Sequence, residues 1–360
     1  MAKLLLITSD FPPRRGGVAT YYRTLVKNVL EMEVLTNIIG AEGERVHQLS
    51  WSWPGWPKWL PLLWLIPIWK IKTKAEFLAA GEILPLGTAL MSVRLAFGWR
   101  YLVFVHGLDI QLATRNSWKR WLTRQVLKYS CQVVVNSNFT RDLVIRAGGK
   151  LATTTVVYPA VRALSASQRE VNRIKAQYQL AGKKVVLTVA RLVLRKGISQ
   201  VIKAMAQVQS QQPEAIYVVV GEGPMKAELR AQAERDKVNV IFTGGLPADE
   251  LAAWYESAEV FVLTPIKDTK DVEGFGIVYL EAMARAKAVV ASRVGGVAEA
   301  VGEAGILIND HGDLAAAIVK LLQDNGLRLS FESKARARAA QFSEAAQAHK
   351  VTGLIKNLKS

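Results

Sequence analysis

The sequence predicts an α/β protein of two doubly wound domains, each built on a parallel sheet, facing a central cleft. Three observations lead there. Short, unbroken apolar runs alternate with helical stretches, the pattern of strands buried on both faces by helices. The alternation stops at a polar, strand-free stretch of helical pattern (residues 163–180), which reads as the domain connector, and then starts again. The chain has 360 residues, 50% of them hydrophobic, enough for two cores of ordinary size.

In the first half, Lys3 to Thr8 reads as a buried strand and Ser9 to Gly17 as a loop, with a helix from Val18 to Leu30. Tyr101-Leu-Val-Phe-Val105 is a strand ending at His106-Gly107. Gln132-Val-Val-Val135 is another, and Ser137 or Asn138 caps the helix after it. Thr154-Thr-Val-Val157 is closed by Pro159. In the second half the expected strands are Lys184–Val189, Ile216–Val220, Val238–Phe242, Val260–Leu263, Ala288–Ala291 and Gly305–Ile308. Ligands of such sheets bind beyond the carboxyl ends of the strands.

Charge is unevenly spread. The net charge is +17. Residues 1–180 carry 24 Lys and Arg against 10 Asp and Glu, residues 181–360 only 23 against 20. A basic first half suits an anionic partner such as a lipid surface or an acidic acceptor. A nucleic acid is the other anion to consider, but no nucleic-acid-binding motif is present. The segment Trp51 to Trp69 holds six of the ten tryptophans and four prolines. Prolines at this density argue against a spanning helix. Tryptophan favours the membrane interface, so the segment is either a monotopic membrane contact or a variable region folded into the core. In Trp118 to Lys128, Trp118, Trp121, Leu122 and Val126 share one side of a helix and basic residues occupy the rest, the make-up of a surface-binding helix or of an exposed helix of an α/β domain. The single cysteine, Cys131, excludes an internal disulfide and suits a reducing compartment. Met1 to Ser9 reads as a first strand rather than a secretory signal.

The chemistry gathers in Asp271-Val-Glu-Gly-Phe-Gly-Ile-Val-Tyr-Leu-Glu281. Two carboxylates, Glu273 and Glu281, lie eight residues apart around Gly274 and Gly276. One falls on a loop, the other inside the following helix. A helix start offers N–H donors, and a carboxylate can accept two hydrogen bonds from a vicinal diol. Arg191 and Lys196 follow the first strand of the second half and can neutralise a diphosphate, also as it departs with growing charge. Arg195 is expected to point elsewhere. His106 ends a strand and can meet a sugar hydroxyl or a phosphate oxygen, with Asp109 orienting it or capping the next helix. Gly16 and Gly17 let backbone approach a phosphate. Gly221 and Gly244 belong to turns that can wall a base. No zinc cluster, Walker sequence or Gly-x-Ser-x-Gly elbow occurs.

Taken in order, Gly16-Gly17, His106-Gly107, Asn136-Ser137, Arg191, Lys196-Gly197, Gly221-Glu-Gly-Pro224, Phe242-Thr-Gly244 and Glu273 to Glu281 resemble the family-4 retaining glycosyltransferases of the GT-B fold. The resemblance is strong from 183 to 310, patchier in 1–160 and absent in 40–80. It implies an acceptor-side domain (1–165), a nucleotide-sugar domain (166–340) and a C-terminal helix (341–360) packing back toward the first. It implies Glu281 on the ribose, and Glu273 on the donor sugar with backbone of Phe275, Gly276 and Ile277. It further implies Arg191 and Lys196 on the diphosphate, Gly16 and Gly17 as backbone contacts, and His106 near the reacting centre. No metal or cofactor is expected, and the donor is a GDP- or UDP-sugar. The string Gly276 to Glu281 leans toward GDP-mannose. Ala190, Ala286 and Ala288 depart from the family pattern, where glycine, glycine and proline are usual. The expected activity is transfer of a hexose, with retention, to a lipid-linked or glycan acceptor at the cytoplasmic face of an anionic membrane. Rivals are an epimerase or phosphorylase on the same fold, or an idle homologue that only docks on membranes.

Overall fold

The computed structural model describes residues 3–14, 16–51, 57, 59–161, 166–267 and 272–358. The chain divides into two compact units, residues 1–160 with 343–360 and residues 161–342.

The first unit runs β1 (Leu4–Thr8), α1 (Gly17–Asn28), β2 (Met32–Thr36), β3 (Val46–Gln48), α2 (Leu62–Thr73), β4 (Phe77–Ala80), α3 (Leu86–Phe97), β5 (Tyr101–Val105), α4 (Leu108–Ala113), α5 (Ser117–Tyr129), β6 (Gln132–Val135), α6 (Asn138–Arg146) and β7 (Thr154–Val156). The strands pair in parallel in the order β3-β2-β1-β4-β5-β6-β7. Every residue of β1, β4 and β5 is buried, which is why these runs show no polar alternation. The strand order reverses between β1 and β4. The loops after β1, β4 and β5 therefore gather at the switch point, where this architecture places ligands.

The second unit runs α7 (Gln168–Gln177), β8 (Lys184–Val189), α8 (Ile198–Gln211), β9 (Ala215–Val220), α9 (Lys226–Arg235), β10 (Val240–Gly244), α10 (Ala248–Ser257), β11 (Val260–Leu263), α11 (Ile277–Met283), β12 (Ala288–Ser292), α12 (Val297–Val301), β13 (Gly305–Ile308), α13 (Leu314–Gln323) and α14 (Asn325–Ala340). Its sheet is parallel in the order β10-β9-β8-β11-β12-β13, with the switch point between β8 and β11. The last helix, α15 (Glu344–Asn357), belongs to the first unit. Its Ala348, Val351 and Ile355 join the same apolar cluster as Tyr21, Tyr22 and Phe104.

Several elements differ from the sequence expectations. β2, β3 and β4 are additional strands. Each is five residues or shorter, and each lies beside a stretch whose polarity or proline content hides it. The stretch expected to be a helical connector does carry a helix, α7, but it belongs to the second unit, where it packs on α10, Tyr178 against Trp254 at 5.0 Å between ring centroids. On α5 the buried side is Thr123, Val126 and Leu127, while Trp118 and Trp121 are exposed beside the basic residues. The tryptophan-rich segment is divided. Trp51 is buried and Trp59 and Trp69 pack on the core, whereas Trp64 on α2 is 76% exposed. Trp53 and Trp56 lie outside the described residues. Pro61 sits at the N-cap of α2, where its missing N–H costs nothing, and Pro67 is accommodated inside it. No helix among the described residues is long and apolar enough to cross a membrane.

Ala286 has φ +53° in the turn that leads from α11 to β12. A Cβ there crowds the following carbonyl, a cost of roughly 1–2 kcal/mol that glycine avoids. Ala286→Gly is expected to raise stability by about 1 kcal/mol after the added unfolded-state entropy of glycine. A thermal melt checks it, with an unchanged or lower Tm counting against the strain.

Candidate active site

In the second unit the loop after β8 and the loop before α11 meet through charge. Lys196 Nζ lies 2.5 Å from Glu273 Oε2 and Arg195 Nη1 2.7 Å from the same oxygen. The side chains of Lys196 and Glu273 are each 11% exposed, that of Arg195 21%. Burial pushes the Glu273 carboxyl up, but Lys196 and then Arg195 outweigh it and hold it below the usual carboxylate range. Two features brace this arrangement. The Gly296 N–H donates to the Glu273 carbonyl at 3.0 Å, and the Ile266 N–H to the Arg195 carbonyl at 2.9 Å. Gly197 follows at φ +68°, and a Cβ there would stand 1.9 Å from the Thr264 carbonyl oxygen, so only glycine lets the β8 loop lie against the end of β11. Arg191 extends from the same loop, exposed, with no side-chain partner among the described residues.

Glu281 lies inside α11, half-buried. The Tyr255 hydroxyl, on α10, donates to its Oε2 at 2.8 Å. Its other oxygen has no partner among the described residues. Burial raises the Glu281 pKa, with the Tyr255 hydrogen bond and Arg285 opposing. Gly276 caps α11 at φ +89°. The helix is a short one of seven residues. The Phe275 side chain is 2% exposed and packs edge-on against Phe342 at 5.7 Å, so only backbone is offered at that position, as it is at Gly276. Ile277 opens the helix. The Gly221 N–H donates to the Gly244 carbonyl at 2.9 Å, and the Leu192 N–H to the Glu222 carbonyl at 2.9 Å. The loops after β8, β9 and β10 are thereby stitched together.

In the first unit, His106 follows β5. Its backbone N–H donates to Asp109 Oδ1 at 2.9 Å, and Asn136 Nδ2 donates to its carbonyl at 3.1 Å. Its Nε2 lies 2.7 Å from the Tyr22 hydroxyl, and that hydroxyl donates to the Gly81 carbonyl at 2.6 Å. Burial pulls the His106 pKa down to about 3, so the ring is neutral at pH 7. Burial also pushes the Asp109 carboxyl up to about 6, backbone donors opposing. Gly16 caps α1 and Gly17 opens it, both exposed; a Cβ on Gly16 would meet nothing within 4 Å.

The structure thus joins Lys196 to Glu273 and sets Arg191 on the same loop. It places Glu281 one helix turn further on. It corrects the expectation for Arg195, which is aimed at Glu273 rather than away from it. Asp109 holds the backbone of His106 and not its ring. Sequence reading missed Tyr255 and Tyr22. Each reaches its partner across 26 and 84 residues respectively, and no local pattern marks such a contact. Among the described residues no group of three or more His, Cys, Asp or Glu is placed to hold a metal.

Residues 15–163 match the family model described as Glycosyltransferase Family 4, and residues 170–338 that described as Glycosyl transferases group 1. The chain is 30% identical over 352 residues to a GDP-mannose-dependent alpha-(1-6)-phosphatidylinositol monomannoside mannosyltransferase of Mycolicibacterium smegmatis, with 89% of each chain covered. It is 26% identical to a GDP-mannose-dependent monoacylated alpha-(1-6)-phosphatidylinositol monomannoside mannosyltransferase of Corynebacterium glutamicum, covering 99% of this chain and 98% of that one. Among solved structures, Alr3699/HepE of Anabaena, crystallised with UDP and glucose, superimposes with a TM-score of 0.82 at 19% identity, covering 99% of this chain and 100% of that one. Sucrose-phosphate synthase of Thermosynechococcus elongatus gives 0.83 at 23%, with 99% of each covered. The two parallel α/β units are those of the GT-B fold. The chain belongs to glycosyltransferase family 4.

Glu273→Gln strands two cations that share one buried partner. Removing one member of a buried ion pair typically costs about 3–5 kcal/mol. We expect a loss near 3 kcal/mol at pH 7, since Arg195 is partly solvated. Because the folded pKa of Glu273 is depressed, its contribution is whole above the unfolded value and vanishes as pH falls through the folded one. The gap between wild type and Glu273→Gln should therefore close on acidification. Urea denaturation at pH 7 and at pH 3 measures both; a gap that widens toward acid would contradict the ion-pair assignment.

Proposed function

We propose that this glycosyltransferase moves a mannose, with retention, from GDP-mannose to a lipid-linked or growing glycan acceptor. The observation that carries the reading is the Glu273–Lys196–Arg195 cluster at the switch point of the second sheet, with Arg191 on the same loop and Glu281 on the next helix. The three clustered groups sum to one positive charge, and Arg191 adds a second. That suits a diphosphate, both bound and departing, without a metal ion. The open oxygen of Glu281 suits the ribose diol. Gly16, Gly17, Gly221, Gly244, Phe275, Gly276 and Ile277 contribute backbone rather than side chains, and His106 meets a sugar hydroxyl. Glu273 is held as an anion by two cations, which makes it a poor base and a poor nucleophile. Transfer therefore uses the departing phosphate to take the acceptor proton instead of a carboxylate pair. The mannose donor and lipid acceptor are favoured by the relatives from Mycolicibacterium and Corynebacterium, whose names state both.

A lipid-linked acceptor asks for access to a membrane. In the first unit α3 packs against both α2 and α5. The three helices contain no Asp or Glu. They expose Trp64, Ile68, Ile71, Leu95, Phe97, Trp118 and Trp121 among Lys72, Arg120, Arg124 and Lys128. Aromatic side chains among unopposed cations fit the headgroup region of an anionic bilayer. The protein would then act as a peripheral enzyme at the cytoplasmic face of the membrane.

Calorimetry with GDP, UDP, GDP-mannose and UDP-glucose tests the donor. Micromolar binding of the guanine pair, lost in Glu281→Ala, is expected; preference for the uridine pair would replace mannose by a UDP-linked sugar. Lys196→Ala should lower kcat by a factor of about 100–1000, as for one preorganised charge donor. Normal turnover would remove its assigned role. For the membrane, the triple variant Trp64→Ser, Trp118→Ser, Trp121→Ser should lose sedimentation with phosphatidylglycerol vesicles while binding donor normally. Full sedimentation would refute the helical surface.

A further inference from the structure

His106 is fixed on every side but one. Its backbone is held at the N–H by Asp109 and at the carbonyl by Asn136. Its ring is met edge-to-face by Tyr21 at 5.0 Å and 79° and by Tyr22 at 5.1 Å and 86°. What remains open is which ring nitrogen carries the proton, and hence whether the free nitrogen donates or accepts.

The hydrogen bonds around Tyr22 answer this. A carbonyl oxygen can only accept, so at 2.6 Å the single hydroxyl proton of Tyr22 belongs to Gly81 O. The hydroxyl oxygen must then accept at its other contact, 2.7 Å away, and His106 Nε2 must be the donor. A neutral imidazole has one N–H, so Nδ1 is a bare lone pair. It has no partner among the described residues, and it is not among the sealed polar atoms that lack one. Flipping the ring would set a carbon against the Tyr22 hydroxyl and forfeit the bond. Tyr22 itself is 0% exposed, so water does not compete for its hydroxyl.

We infer that Tyr22 is a positioning residue: by giving its own proton to Gly81 it fixes His106 in the Nε2–H tautomer and turns Nδ1 into a hydrogen-bond acceptor for a substrate hydroxyl. The inference rests on the reading above that His106 meets the sugar. It also narrows that reading. A bare nitrogen lone pair attracts a hydroxyl proton and repels a phosphate oxygen, so the phosphate contact considered from the sequence is excluded. The low pKa of His106 keeps this polarity through the neutral range. Gly81, directly after β4, thereby becomes part of the arrangement through its carbonyl oxygen.

The test has a spectroscopic arm that needs no substrate. In protein labelled with 15N-histidine at pH 7, His106 should show a protonated Nε2, with its proton observable, and an unprotonated Nδ1. In Tyr22→Phe that proton should vanish by exchange with water. The kinetic arm reads GDP released from GDP-mannose. Tyr22→Phe should lower kcat roughly three- to tenfold, the scale of one lost hydrogen bond, with the Kd for GDP unchanged. In a His106→Ala background the same change should alter kcat by less than about twofold, since its effect passes through the histidine. A wild-type His106 protonated at Nδ1, or equal kcat losses in both backgrounds, overturns the inference. If Tyr22→Phe fails to fold, the wild-type tautomer alone decides. If wild type releases no GDP from GDP-mannose, the proposed function falls while the tautomer is still measured.

Discussion

One buried carboxylate organises the second unit. Glu273 draws Lys196 and Arg195 onto a single oxygen, and each pair at 2.5–2.7 Å is worth on the order of 6 kcal/mol at an effective dielectric near 20. Desolvating three charged groups costs several kcal/mol apiece, and the two cations repel each other. The net gain in stability is accordingly small. What the cluster provides is position. It ties the loop after β8 to the loop before α11, across the point where the strand order reverses. Gly197 against Thr264 and the Gly296 N–H on the Glu273 carbonyl then fix the same loops from behind. Two cations that would otherwise repel one another are held together on one carboxylate oxygen.

The first unit solves the matching problem with neutral groups. His106 is kept uncharged by burial, and its orientation is set by backbone partners and by a tyrosine whose proton is already committed. In both units a side chain that sequence reading takes for a lone functional group is one end of a chain of hydrogen bonds or ion pairs. The other end lies on a different strand or helix.

Much of this was legible because the folding signal is local. The six strands of the second unit read directly from unbroken apolar runs, and glycines such as Gly197 and Gly276 mark turns that need them. The Glu273 to Glu281 spacing announced one carboxylate on a loop and one in a helix. Legibility failed where the signal was short or distant. Phe77-Leu-Ala-Ala80 is too brief and too small to stand out as a strand, yet it forms half of the switch point. Arg195 looked like a neighbour of Lys196 facing elsewhere, because adjacency along a chain says nothing about the one-turn 3-10 helix, Leu194–Lys196, that brings both to one oxygen. Tyr22 and Tyr255 look like core aromatics, which they also are; only the hydroxyl partners reveal the rest. The Trp51 to Trp69 segment held two answers at once, a buried Trp51 and an exposed Trp64, and composition cannot separate them.

The most direct measurement is the Kd for GDP, without sugar, of wild type and Glu273→Gln. Charge alone says that removing an anion beside the proposed diphosphate site tightens binding. If Glu273 acts by holding Lys196 and Arg195 in place, binding should instead weaken, by about tenfold for a loss near 1.4 kcal/mol. Equal or tighter binding by a folded Glu273→Gln would show that the cations need no such anchor.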